Sequence, residues 1–205
     1  MIRVKVCGVT RLEDACLAAE LGASAIGLVF WPGSPRCIDA HRAAIITALL
    51  PPTVTTVGVF VDQPIEEVRA VAAAANLGAI QLHGNEPIDY ARGLLPPVIK
   101  AVPVDARFRA ESLDAFPSDI TVLLDAHDPV RRGGTGRTID WSAAASAAAR
   151  RPVFLSGGLT PRNIREAVAR VRPYAVDLSS GVEASPGVKD HAKLRELFEA
   201  VSTDG

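Results

Sequence analysis

The sequence predicts an α/β fold whose parallel sheet closes into a compact, single-domain (β/α)8 TIM barrel. Three observations carry this expectation. Short apolar runs alternate with amphipathic stretches along the chain, and parallel neighbours need such crossover connections. Several runs are apolar on consecutive residues, as strands covered by helices are. The runs number eight, which favours a closed barrel over an open doubly wound sheet. With 205 residues the repeating units average about 26, against a typical barrel of ~250 residues in all, leaving little room for a second domain within 1–205.

The strand runs, in order, are 2–7 (IRVKVC), 24–29 (SAIGLV), 54–60 (VTTVGVF), 78–82 (GAIQL), 98–102 (VIKAV), 120–125 (ITVLLD), 152–155 (PVFL) and 174–178 (YAVDL). Leu12, Ala15 and Ala19 share one face of the first helical stretch, and Thr10-x-x-Glu13 has the spacing of a capping box. Thr10 is therefore expected to cap that helix. Ile65, Val68, Ala72 and Ala75 recur at helical spacing, with Glu66, Glu67 and Arg69 facing out. The alanine-rich 141–151 is a good helix former rather than a linker. Thr160-Pro161 reads as a helix start with proline at the first helical position, and Leu194, Leu197, Phe198 and Val201 form the apolar face of the last helix.

Composition narrows the function classes. Lys and Arg total 22 against 23 Asp and Glu, so the chain lacks the basic excess that phosphate-backbone binding requires, and no nucleic-acid partner is expected. The cysteines, Cys7, Cys16 and Cys37, are odd in number and form no C-x-x-C. That pattern fits a reducing compartment and argues against a disulfide framework or zinc site. No run of 18 uninterrupted apolar residues and no secretory leader pattern occurs. A soluble, cytoplasmic protein without a membrane partner is expected, as a monomer or homodimer.

Parallel barrels carry their sites on the loops after the strands' C-terminal ends. Those positions hold Cys7-Gly8, "FWPGSPRCI" (30–38), Asp62, "HGNE" (83–86), "DAHDPVRRGGTG" (125–136), "SGGLT" (156–160) and "SSGVE" (179–183). Glycines follow the sixth, seventh and eighth strands, as Gly133-Gly134-x-Gly136, Gly157-Gly158 and Ser179-Ser180-Gly181. Backbone without side chains can approach a phosphate closely and aim N–H groups at its oxygens, so Gly134, Gly136, Gly157, Gly158, Ser180 and Gly181 are the phosphate-binding candidates. No G-x-x-x-x-G-K-[ST] is present, so nucleoside triphosphate hydrolysis has no support.

Asp125 ends an otherwise apolar strand, where partial desolvation favours the neutral, proton-donating acid. A helix cap or an ion pair to Arg131 or Arg132 is the plainer alternative. Asp177 lies one residue inside its strand end and suits ordering of the mouth or a sugar hydroxyl. His83 can hydrogen-bond a substrate, and Arg36, in a loop bracketed by Pro and Gly, can bind a carboxylate bidentately. Metal-ligand spacing is weak, since Asp125-x-His127 alone makes a poor site and His83 and Glu86 add no local pattern. Cys7 reads first as a buried small residue, the commoner fate of cysteine, with a reacting thiol as the alternative.

The ordered set "KVCGVT", "SPRCI", "QLHGNE", "LLDA", "GGTGRTIDW", "LSGGLTPRNI" and "VDLSSGVEASPGVKD" resembles the phosphoribosylanthranilate isomerases of tryptophan biosynthesis, from residue 5 to about residue 190. Trp31 and Cys37 are unusual fillers of the second loop, and neither removes a functional position. The resemblance implies a cofactor-free and metal-free Amadori rearrangement of N-(5-phosphoribosyl)anthranilate, a small-molecule phosphosugar-anthranilate substrate. It implies Cys7 as general base and Asp125 as general acid. Arg36 would meet the anthranilate carboxylate, His83 and Asp177 would line the substrate mouth, and the glycine loops would hold the phosphate.

Three other readings compete. A dual-substrate isomerase of the histidine and tryptophan pathways usually ends its first strand in Asp and shows two-fold internal similarity; here that position is Cys7, and no half-repeat is evident. A carbon–carbon lyase on the same scaffold would use a strand-end lysine, for which Lys100 is the candidate. A non-catalytic phosphosugar-binding barrel gives no reason for an acid and a thiol at two strand ends.

Overall fold

The computed structural model describes residues 2–95, 97–126 and 138–202. Eight parallel strands close in sequential order: β1 (Arg3–Cys7), β2 (Ala25–Val29), β3 (Thr55–Phe60), β4 (Ala79–Leu82), β5 (Val98–Val104), β6 (Thr121–Ala126), β7 (Val153–Leu155) and β8 (Ala175–Leu178), with β8 pairing back onto β1. Each strand lies on one of the eight runs read from the sequence. The helices are α1 (Leu12–Glu20), α2 (Ala40–Leu49), α3 (Ile65–Ala74), α4 (Ile88–Ala91), α5 (Trp141–Ala148), α6 (Ile164–Val171) and α7 (His191–Ser202). None of these is long and apolar enough to cross a membrane.

Two crossovers explain the small size of the barrel. α4 is a single turn, and a 3₁₀ segment, Ala110–Ala115, stands where a helix would join β5 to β6. Without a helix there, carbonyls of that crossover need other donors. Arg151, just beyond α5, supplies them: Nη1 donates to the carbonyls of Leu113 and Phe116, and Nη2 to those of Pro117 and Ile120, at 2.7–3.1 Å.

The alternation of side chains along each strand separates two cores. Outward residues such as Ile26, Leu28, Phe60, Ile80, Leu82 and Leu124 pack against the helices, which contribute Leu17, Ile46, Val68, Ile164 and Leu197. Inward residues Ala25, Val57, Ala79, Ile99, Ala101 and Leu123 plug the barrel, so it is a packed core and not a pore. Six strand residues of the barrel are polar and buried: Lys5, Thr56, Gln81, Lys100, Asp125 and Asp177. Of these, Gln81, Asp125 and Asp177 line one cavity at the C-terminal strand ends.

Two expected helix starts are corrected. Thr10 does not cap α1: Arg11 occupies the cap position without a side-chain bond, and the Thr10 hydroxyl donates to the Gly187 carbonyl at 2.6 Å. The partner lies far along the chain, so local spacing could not reveal the competition. α6 begins at Ile164 rather than at Pro161, because Thr160–Asn163 form a turn. Asn163 Oδ1 accepts from the Thr160 N–H at 2.8 Å and its Nδ2 donates to the Gly158 carbonyl at 3.0 Å, tying the loop after β7 to the helix start.

The Arg151→Ala variant should lose roughly 2–4 kcal/mol of unfolding free energy, since four carbonyls lose a charged donor together. Urea denaturation checks this, and Arg151→Lys should recover only part, because an ammonium cannot reproduce the planar fork.

Candidate active site

A cavity of about 550 Å³ opens at the C-terminal ends of the strands. Cys7, Arg36, His83, Asp125 and Asp177, all five catalytic and substrate-binding candidates of the sequence, line it together. A second hollow of about 440 Å³ between Arg3, Arg165 and Arg172 holds none of them. Barrel chemistry belongs to the C-terminal face, so the first cavity is the candidate site.

β1 places Lys5 and Cys7 on one face, two residues apart. Its register against β8 sets Lys5 opposite Asp177, and Lys5 Nζ reaches Asp177 Oδ1 at 2.9 Å, fully buried. Gly27, the β2 neighbour of Cys7, leaves room for the thiol: a Cβ there would lie 2.7 Å from Sγ. Burial pushes the Cys7 thiol above its ordinary pKa; the Lys5 and Lys189 cations pull it down without prevailing, and Asp177 pushes with burial. Burial also opposes the charge on Lys5, but Asp177 and Cys7 outweigh it and hold the ammonium above the ordinary lysine value.

A hairpin of β9 (Glu183–Ser185) and β10 (Val188–Lys189) folds over this strand end. Glu183 receives Arg36 bidentately, from Nε at 2.8 Å and Nη2 at 2.7 Å, and receives Lys189 Nζ at 2.9 Å. Lys189 Nζ also donates to the Cys7 carbonyl at 2.6 Å. Burial works to raise Glu183, but Arg36 and Lys189 together hold its carboxyl below the usual range. Arg36 crosses directly over Gly8, whose φ is +71°: a Cβ there would come within 2.4 Å of Arg36 Cδ. Sequence reading gave Glu183 and Lys189 no role. The available signal was the acid and base flanking the Pro186-Gly187 turn, a pair that a hairpin brings face to face.

On β4 and the loop beyond it, Gln81 Nε2 and His83 Nδ1 are 2.8 Å apart, and His83 Nε2 lies 3.1 Å from Asp125 Oδ2. Asp125 therefore meets His83; Arg131 and Arg132, its other suggested partners, lie outside the described residues. Lys100 is bound to the Gly84 carbonyl and to Glu86 Oε2, both at 2.7 Å. Engaged in these two bonds, it pins the loop carrying His83 and is poorly placed as the nucleophile of a lyase.

The late loops form a small hollow between Gly157-Gly158 and Ser180-Gly181, sharing Asp125, Ser156, Asp177 and Ser179 with the main cavity. Gly157 and Gly158 have φ of +86° and +63°, a region that glycine alone enters freely. Gly181 packs so tightly that a Cβ would lie 1.9 Å from the Leu159 carbonyl oxygen. Gly134 and Gly136 lie outside the described residues.

The buried thiol generates a pH prediction. Alkylation of Cys7 by iodoacetamide, followed on its peptide by mass spectrometry, should rise with pH to a midpoint above that of an unhindered thiol, ~8.5. The raised pKa keeps the unreactive thiol form to higher pH. A midpoint below that value would contradict the dominance of burial over the two lysines.

Residues 4–200 match the family described as N-(5'phosphoribosyl)anthranilate (PRA) isomerase. The chain is 50% identical over 203 residues to the N-(5'-phosphoribosyl)anthranilate isomerase of Geobacter metallireducens, covering 97% of this chain and 98% of that one. Its fold superposes on the phosphoribosyl anthranilate isomerase of Thermus thermophilus with a TM-score of 0.90 at 46% identity, covering 98% and 99% of the two chains. A further relative, solved in complex with reduced 1-(o-carboxyphenylamino)-1-deoxyribulose 5-phosphate, gives 0.87 at 43% identity with the same coverage. The chain belongs to the phosphoribosylanthranilate isomerase family.

Proposed function

We propose that Cys7 is the general base and Asp125 the general acid in the isomerisation of N-(5-phosphoribosyl)anthranilate to 1-(2-carboxyphenylamino)-1-deoxyribulose 5-phosphate. The observation that carries this reading is that one cavity is lined by both a buried thiol and a buried carboxyl and adjoins a glycine-built hollow. Asp125 protonates the furanose ring oxygen as the C1–O bond breaks, and the anilino nitrogen lone pair forms a C1=N iminium. Beside that cation Cys7 gives its thiol proton to solvent at the open cleft; the thiolate then takes the acidified C2–H proton, the C–H electrons form the C1=C2 bond and the C=N electrons return to nitrogen. The resulting enolamine tautomerises, giving the C2 ketone. A positioned acid and base each contribute about 10²–10⁴-fold in such steps.

The rest of the cleft suits the substrate's two anions. Glu183 occupies Nε and Nη2 of Arg36, fixing the guanidinium and leaving Nη1 for the anthranilate carboxylate. The loops of Gly157, Gly158, Ser180 and Gly181, with Gly134 and Gly136 from the segment outside the described residues, would cradle the phosphate with backbone N–H groups. His83 and Asp177 line the mouth between them. The ligand solved with the 43%-identical relative carries both anions, which supports this placement.

Anthranilate fluorescence of freshly generated substrate should fall on adding enzyme in the presence of a chelator. No turnover, or turnover abolished by the chelator, would overturn the cofactor-free reading. Cys7→Ala and Asp125→Asn should each lose about 10²-fold or more of kcat while remaining folded. Wild-type kcat in either variant removes that role. Gly181→Ala should raise KM by about tenfold or more with a smaller effect on kcat, because the added methyl forces apart the two loops assigned to the phosphate.

A further inference from the structure

We propose that Gln81 is a positioning residue that keeps His83 a neutral imidazole protonated on Nε2, so that Asp125 faces a neutral donor instead of a cation. The inference rests on the reading of Asp125 as the acid. Gln81 is 1% exposed on β4, and alternation along the strand sets it on the same face as His83. Its Nε2 lies 2.8 Å from His83 Nδ1, while the other ring nitrogen lies 3.1 Å from Asp125 Oδ2. An amide N–H can only donate, so Nδ1 must accept and the ring proton resides on Nε2, directed at Asp125. Protonating Nδ1 as well would set two donors against each other in a dry site.

Gln81 Oε1 is buried and without a hydrogen-bond partner among the described residues, so the bond to Nδ1 is the one that holds the amide there. Among the described residues, the remaining titratable or charged groups facing the pair across the cavity are Cys7 on β1, Arg36 after β2 and Asp177 on β8. Lys5 is already paired with Asp177, and Lys100 with Glu86 below the His83 loop. A cationic His83 would add a full positive charge against Asp125 and hold it as a carboxylate, which cannot deliver the proton that ring opening needs. A neutral Nε2–H donor orients Asp125 without that charge, the same logic by which a neutral histidine serves as an uncharged donor in other barrels.

Ring ¹⁵N spectra of the labelled full-length enzyme, with His83 assigned by its loss in His83→Gln, test this directly. The wild type should show His83 neutral and protonated on Nε2 alone at neutral pH. Gln81→Met keeps the volume and removes the donor. It should allow Nδ1 to protonate and lower kcat by about tenfold or more, with KM changed by less than about twofold. Gln81→Glu offers Nδ1–H an acceptor, so it should give a doubly protonated His83 and move the alkaline limb of the kcat profile to lower pH. A wild-type His83 that is doubly protonated or carries its proton on Nδ1 overturns the proposal, as does a Gln81→Met enzyme with unchanged spectrum and kcat. If Gln81→Met fails to fold, the wild-type spectrum decides. Activity retained in Asp125→Asn would instead remove the acid role, leaving the His83 spectrum to judge the tautomer.

Discussion

The ion pair of Lys5 and Asp177, 2.9 Å long and sealed inside the barrel, joins the first strand to the last, and the chemistry of the mouth is arranged around it. Closure of the barrel dictates the register that sets the two opposite each other. Stability is not its main consequence: two well-packed apolar residues could replace such a pair at little cost, whereas losing one partner strands a charge at about 3–5 kcal/mol. The pair fixes an ammonium two residues from Cys7 and holds the Asp177 side chain beside the cleft. Without that cation, burial would act on the thiol with one fewer opponent.

Glu183 extends the same principle to the outer side of the site. It accepts from Arg36 and Lys189, and Lys189 in turn holds the Cys7 carbonyl. The group placed to meet a substrate carboxylate and the backbone of the candidate base therefore share one buried acceptor. Gly8 completes the arrangement, because any side chain there would collide with Arg36. Among the described residues Lys5 is matched by Asp177, and Lys189 and Arg36 share Glu183. The glycine loops proposed for the phosphate would offer N–H donors at no further cost in buried charge.

The strand pattern was legible because apolar runs and crossovers follow from local composition, and strand ends then identified Cys7, Arg36, His83, Asp125 and Asp177 as a group. What escaped were pairings over long sequence distance. Thr10 has the right spacing for a cap, yet Gly187, 177 residues away, takes its hydroxyl. The helix missing after β5 was invisible for a related reason: Arg151, beyond α5, replaces it with four side-chain bonds. Glu183 and Lys189 gain meaning only when the hairpin brings them to Arg36 and Cys7. Gln81 was the near miss, since its two-residue spacing from His83 on a strand already placed both on one face.

The burial of Cys7 bears on the order of the proposed steps. In the free enzyme burial favours the thiol, which cannot abstract a carbon-bound proton, and Lys5 and Lys189 do not suffice to ionise it. An additional positive charge beside the sulfur would shift that balance, and the iminium formed on ring opening is such a charge. In the proposed sequence protonation of the ring oxygen by Asp125 comes first, because the C2–H is acidified only once the iminium has formed. The proposed proton donor beside an uncharged His83 and the proposed base beside the cation of the opened sugar are complementary requirements. Both side chains sit on the buried floor of one barrel, where a near partner weighs more than solvent.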